Sequence, residues 1–188
     1  MDPSWEVVRP PRETGWESAD LDVINVPPHT EVLRGRLFAA LLPQRRYHRL
    51  YIHELLHQLE RQTGAGFIVE AEMTATVNKR NRPEPDLLVI RDRPEYEDLN
   101  IADFKAEDVT VVVEVESPAT ADVDRNIKPG VYAMGGIEWY VRVWRDETGN
   151  PWISVSRLEN GEYREISSEQ GVGTLDLDGR PVVLRLGQ

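Results

Sequence analysis

Apolar and polar positions change period several times along the chain. Over 44–62 the spacing is helical: Ile52, Leu55, Leu56 and Leu59 recur at i, i+3, i+4 and i+7 on one face, and Gly64 and Gly66 end the run. Over 66–77 the period drops to two. Phe67, Val69, Ala71, Met73, Ala75 and Val77 point one way and Glu70, Glu72, Thr74 and Thr76 the other, which predicts one strand. Asp86 leads into a short apolar run at 87–90 that reads as a buried strand. The strongest strand signal covers 109–116, with Val109, Val111, Val113 and Val115 on one face and Thr110, Val112, Glu114 and Glu116 on the other. Gly35 marks a turn into a strand over 36–42 that Pro43 stops, and 79–85 is a basic, proline-bearing turn. Residues 91–107 read as a charged loop holding one turn of helix at most. A short helix is predicted over 127–134, with Pro129 in its first turn and Gly135 and Gly136 at its end. Strands over 137–144, 152–158, 162–166 and 182–186 complete the chain.

These elements predict an α+β architecture, a mixed β-sheet with one long helix and one short helix packed on it. Residues 1–28 carry five of the 13 prolines together with Trp5 and Trp16, which predicts an N-terminal arm docked on a core or on a second subunit rather than a disordered tail. The remainder, 29–188, reads as a single domain. No run approaches eighteen consecutive apolar residues, which excludes a membrane-spanning helix. The start of the chain has no basic-then-apolar secretion pattern, and the sequence has no cysteine, which excludes disulfide scaffolds, thiolate metal sites and cysteine nucleophiles. A reducing cytoplasm is the natural compartment.

Charge complicates any nucleic-acid role. Asp and Glu number 33 against 22 Lys and Arg, a net of −11. A surface of that sign repels phosphate backbones, so such a role must rest on a local basic patch, a bound metal, or both. Arg45, Arg46 and Arg49 at the start of the long helix, with Lys79, Arg80 and Arg82 ahead of Asp86, are the residues available for phosphate contact; the alternative is a solvated positive rim.

Two constellations carry chemistry. His53-Glu54-Leu55-Leu56-His57 matches the H-E-x-x-H zinc helix. The other histidines are His29 and His48, so no third ligand follows the motif, and on the helical wheel His53 and His57 lie about 110–150° from the apolar face. A chance match on a solvent or subunit face is the better reading. The second constellation is Asp86, Glu114 and Lys128. A glutamate inside a valine run must find a cation or reach water. Two carboxylates converging on one point make a site for Mg²⁺ or Mn²⁺, which prefer oxygen ligands; the competing reading is the wet face of an edge strand.

The motifs bearing these residues resemble a known family. Glu31-Val32-Leu33-Arg34-Gly35-Arg36-Leu37, His48, Pro85-Asp86, the stretch Val112-Val113-Glu114-Val115-Glu116-Ser117-Pro118-Ala119-Thr120, Asp124 with Lys128, and Tyr132-Ala133 followed by Gly136-Ile137 and Tyr140 occur in the order and spacing of the Uma-two family of bacterial proteins. That family is grouped with endonucleases of the PD-(D/E)XK, restriction endonuclease-like superfamily. The resemblance implies a metal-dependent phosphodiesterase, with Asp86 and Glu114 holding the ion and the superfamily lysine moved to Lys128, since Glu116 stands where that lysine would fall. Glu31 is then a candidate for a further acid near the metal. Glu116 is a second ligand or a source of repulsion, and Asp124 is a helix cap or a partner for Lys128. The implied activity is hydrolysis of DNA phosphodiester bonds. The rival is a nuclease fold without efficient cleavage that works as a binding or assembly module. The tryptophan-bearing arm and the outer-face set Leu50, His53 and His57 point to a homodimer.

Overall fold

The computed structural model describes residues 9–39 and 44–187. Trp5 and the predicted stop at Pro43 lie outside these residues. A six-stranded sheet forms the centre. It is built from β3 (Phe67–Ala71), β5 (Leu87–Arg91), β7 (Val109–Val115), β8 (Trp139–Arg145), β9 (Pro151–Glu159) and β10 (Glu162–Gln170), in the spatial order β10-β9-β8-β7-β5-β3. Every pairing is antiparallel except β7 with β8. That parallel step requires a crossover, supplied by α2 (Ala121–Asn126) and α3 (Lys128–Met134). Outside the sheet lie the hairpin β1 (Thr30–Leu33) and β2 (Arg36–Ala39), the parallel pair β4 (Thr74–Thr76) and β6 (Asp103–Lys105), and the hairpin β11 (Val172–Leu177) and β12 (Arg180–Arg185).

One face of the sheet packs against the long helix α1 (Arg46–Thr63). Ile52, Leu55 and Leu59 meet Leu87, Val89, Val111, Val113, Val141 and Val143, and the β11–β12 hairpin closes the same core with Leu175, Val182 and Leu184. Complete burial of a leucine such as Leu55 or Leu59 stabilises the fold by about 1.5–3 kcal/mol. The opposite face carries a second core of Leu88, Ile90, Val112, Phe104, Tyr132 and Tyr140. Both faces of β5 and β7 are therefore dry, which is why 87–90 reads as a continuous apolar run. Glu114 shares the second face with Val112, so the crossover helices are the elements that meet it.

The mixed α+β sheet and the long helix stand as read. Several boundaries differ. The single strand predicted over 66–77 is broken: Glu72 takes a positive φ of 55° and its N–H bonds the carbonyl of Asp86. Phe67, Val69 and Ala71 pack on the α1 side, whereas Met73, Ala75 and Val77 pack on the other. Period two persists across the break while the chain changes face, so alternation alone concealed it. The loop over 91–107 contains β6, which pairs with β4, and the short helix at 127–134 is preceded by a second one, α2. β1 and β11 were not predicted. Within the arm, Trp16 is buried, and its N–H bonds the carbonyl of Gly35 while that of Ser18 bonds Lys79.

The two faces of α1 yield a prediction. Leu55→Ala should cost about 2–5 kcal/mol, and His57→Ala on the exposed face should leave the unfolding midpoint unchanged. Urea titrations of both variants check this.

Candidate functional site

Three segments bring the site together. β7 presents Glu114, the start of β5 presents Asp86, and the first turn of α3 presents Lys128. All three line one cavity of about 130 Å³, room for several waters, with Glu31 from β1, Asp124 from α2 and His48 from α1. The convergence of Asp86, Glu114 and Lys128 read from the sequence is thus what the fold produces.

Lys128 is buried, and its Nζ lies 2.9 Å from Glu114 Oε1, 3.1 Å from Glu31 Oε1 and 3.5 Å from Asp124 Oδ1. Burial alone would lower its pKa, but the surrounding carboxylates, Glu114 foremost, hold it well above the usual lysine range. The same crowding acts on the acids. Burial raises Glu114 well above the carboxylate range; Lys128 opposes this, while Asp124, Asp86 and Glu31 add to it. Glu31 and Asp124 are raised too, burial again leading. Six carboxylates line the cavity (Glu31, Glu72, Glu84, Asp86, Glu114, Asp124) against two fixed cations, Arg45 and Lys128. Such a pocket is short of positive charge.

The contacts of the two predicted ligands are one-sided. Asp86 Oδ2 accepts the N–H of Val115 at 2.6 Å and lies 3.4 Å from His48 Nε2. Glu114 Oε1 accepts both the Lys128 ammonium and the Tyr132 hydroxyl. Among the described residues each carboxylate thus keeps its second oxygen without a protein donor. An all-oxygen set of this kind suits Mg²⁺ or Mn²⁺, which bind through one or two carboxylates and retain waters. No group of three or more His, Cys, Asp or Glu among the described residues is spaced to hold an ion by itself; Lys128 Nζ lies within 3.5 Å of Glu114, Glu31 and Asp124.

Other predicted residues are placed differently. Glu116 is engaged by Arg142 at 2.5 Å and by Arg125 in a forked pair at 2.5–3.1 Å, so its carboxylate is neutralised rather than offered to an ion. His53 and His57 lie on the exposed face of α1 with their rings edge to face at 4.3 Å, and His57 faces Glu60; neither reaches the cavity. The basic set divides. Arg45 borders the cavity, but Arg82 is committed to Asp22 at 2.7 Å and Asp103 at 3.6 Å, and Lys79 faces Glu17 at 3.8 Å.

The residue-level reading missed Tyr132, whose hydroxyl bonds Glu114, and Tyr140, whose hydroxyl bonds the Asp124 carbonyl at 2.5 Å. The signals were present. Tyr132 stands four residues after Lys128 on the same helix face, and Tyr140 pairs with Val112 on the Glu114 face of the sheet. His29 and Glu72, both on the cavity wall, adopt positive φ of 58° and 55°, unusual for residues other than glycine and concentrated at functional sites in general.

A mixed sheet with a carboxylate pair and a lysine at one end of its central strands is a nuclease-like arrangement. The chain matches the family described as "Uma2: Putative restriction endonuclease" over residues 17–186, and it belongs to that family. A crystal structure of an Anabaena variabilis protein, titled a putative nuclease belonging to DUF820, has a similar fold, with TM-score 0.62, 16% sequence identity, and coverage of 84% of this chain and 86% of that one. At that identity the likeness speaks for the fold alone. No curated protein matches the chain.

The buried ammonium makes a second prediction. In EDTA, Lys128→Met leaves Glu31, Glu114 and Asp124 buried without their cation and raises their folded pKa values further. The native state then holds protons that the unfolded chain releases, so stability falls as pH climbs from the ordinary carboxylate range through the raised folded values. The deficit against wild type should be small at pH 5 and reach about 3–5 kcal/mol at pH 8, read from urea unfolding at each pH.

Proposed function

We propose that the protein is a metal-dependent endonuclease that hydrolyses phosphodiester bonds in DNA, with Asp86 and Glu114 holding Mg²⁺ or Mn²⁺ and Lys128 assisting. One observation carries this reading: two carboxylates from separate strands line one cavity, each with an oxygen left over, beside a buried lysine held charged. When bound, the divalent ion supplies Lewis-acid polarisation of the phosphate and a more acidic water. The chain's own residues do the rest. The N–H of Val115, with His48 beside it, orients Asp86, while Tyr132 and Lys128 fix Glu114. The Lys128 ammonium offsets charge on the phosphate and orients the attacking water. Arg45 at the cavity wall, with Arg46 and Arg49 on the next turn, forms the local basic patch that receives the backbone. A two-fold dimer, which would set two such sites on opposite strands, accompanies this reading; a light-scattering mass of 21.5 kDa at all concentrations would count against it.

A second reading has its own support. Lys128 already lies between three of the carboxylates, and Glu116 is tied to two arginines. A nuclease fold working as a binding or assembly module without efficient cleavage would tolerate both.

Calorimetry with Mn²⁺ and Zn²⁺, paired with plasmid cleavage, separates the possibilities. Asp86→Asn and Glu114→Gln should abolish Mn²⁺ binding and cleavage together. Lys128→Met, assayed below its melting transition, should keep the ion and lose cleavage by about 10²–10³-fold, as for other electrostatic stabilisers. His57→Ala should change neither. Zn²⁺ held tightly by wild type and lost in His57→Ala would overturn the assignment. No bound divalent ion, with no cut in duplex or single strand, would leave the module.

A further inference from the structure

Most arginines with a defined contact in this acidic chain are paired with carboxylates: Arg12 with Asp20, Arg82 with Asp22, Arg91 with Asp178, Arg93 with Asp108, Arg125 and Arg142 with Glu116. Arg34 and Arg80 are exceptions. Both are exposed, neither has a carboxylate within salt-bridge distance among the described residues, and they are held together, with Arg80 Nη2 donating to the carbonyl of Arg34 at 3.2 Å. With Asn78, Asn81, Gly130 and Met134 they line an open depression on the flank of α3.

The backbone is shaped around these two guanidinium groups. β1 and β2 are joined by Arg34-Gly35, with Leu33 paired to Arg36 and both turn residues at positive φ, 53° and 76°. Such two-residue turns favour Asn, Asp or Gly at their first position; this one holds an arginine in the left-handed region. A Cβ on Gly35 would lie 2.6 Å from the Arg80 guanidinium, and one on Gly130 would lie 2.9 Å from Arg34 Nη2. The Arg80 guanidinium thus lies over Gly35, and the tip of Arg34, its Nη2, reaches over Gly130. The Asn81 side chain fixes the turn by accepting the Arg34 N–H at 2.7 Å. Two uncompensated, pre-positioned guanidinium groups suit an anion that accepts planar, forked hydrogen bonds, which describes a phosphate.

The position relative to the cavity names the source of that phosphate. Arg34 follows Glu31, which bonds Lys128, by three residues, and Gly130 follows Lys128 by two. Three residues of strand span about 10 Å, and a DNA strand carries one charge per about 3.4 Å of axis. We infer that Arg34 and Arg80 form a phosphate clamp for the DNA backbone, gripping a phosphate about three nucleotides from the one presented to Asp86, Glu114 and Lys128. The clamp rests on the nuclease reading of that cavity, whose wall Arg45 also borders.

The test measures binding rather than cleavage, so loss of catalysis cannot imitate its failure. A fluorescein-labelled 20-base-pair duplex and its single strand are titrated with the full chain in EDTA at several salt concentrations. Arg34→Gln with Arg80→Gln should weaken binding about tenfold or more and flatten the slope of log K against log salt by one to two units. Arg164→Gln, at the distant edge strand β10, should leave both unchanged. Gly130→Ala keeps every charge and favours helix, so it should hold or raise Tm while weakening binding several-fold, because the new methyl displaces Arg34. Wild-type affinity and slope in the double variant, or no DNA binding by wild type at any salt, would overturn the clamp. Unaltered cleavage variants such as Glu114→Gln that still show the arginine-dependent slope would uphold it even if the catalytic assignment fell.

Discussion

One ammonium group holds the functional end of this molecule together. Lys128 Nζ meets Glu114 from the central sheet, Glu31 from the β1–β2 hairpin and Asp124 from the helix ahead of its own. Among the described residues no backbone ladder joins that hairpin to the six-stranded sheet. Buried ion groups contribute little net stability, since desolvation cancels most of the attraction, yet removing one member strands the others as uncompensated charge. The network therefore acts chiefly on geometry. An arrangement of hairpin, sheet and crossover that separates Lys128 from its acids is penalised by several kcal/mol. In the proposed reading the same ammonium that aligns the scaffold would offset a phosphate's charge, so that positional and chemical roles would fall on one atom.

The sign of the whole chain looks wrong for a protein that handles DNA until its charges are sorted by partner. Most carboxylates that contact arginine do so at the surface, and these pairs cancel. Beyond these pairs, the cavity concentrates surplus acid, and Arg34, Arg80 and Arg45 have no carboxylate within salt-bridge distance among the described residues. Over distances beyond a Debye length, about 8–10 Å, the net charge is largely screened. In the proposed reading, a strand at contact range would meet the flanking arginines, and the cavity would take the cation. The total of −11 governs solubility more than recognition.

Much of this was legible in the sequence, and the limits have physical causes. The long helix was readable because its apolar face meets a flat sheet, which enforces a 3.6-residue period. Glu114 was readable because a carboxylate in a valine run has no structural reason to be there. The family resemblance added Lys128, which spacing alone could only have placed on a helix. The break at Glu72 was hidden because a strand that changes face at a positive-φ residue keeps its alternation. The role of Glu116 stayed open between ligand and source of repulsion because register shows that two carboxylates share a face but not which one meets arginine; Arg125 from α2 and Arg142 from β8 decide that. The basic residues before Asp86 divide in the same way: Arg82 is tied to Asp22, sixty residues earlier in the chain, whereas Arg80 has no carboxylate partner among the described residues.

Glu116 also bears on how the cavity tells its cations apart. Glu31, Asp86, Glu114 and Asp124 bring four negative charges when ionised and Lys128 brings one positive, leaving −3 before any ion enters. In the proposed reading a divalent ion would reduce this to −1, and a bound phosphate diester would bring it to −2. If Glu116 were free, it would add a further charge about 7 Å along the strand from Glu114 and make the loaded site more hostile to phosphate. Clamped by two arginines, it adds little charge to the site, though it still helps raise Asp124. The raised pKa values of Glu31, Glu114 and Asp124 express the same balance from the proton's side: burial and mutual repulsion favour their neutral forms, and in the proposed reading a metal would compete with those protons.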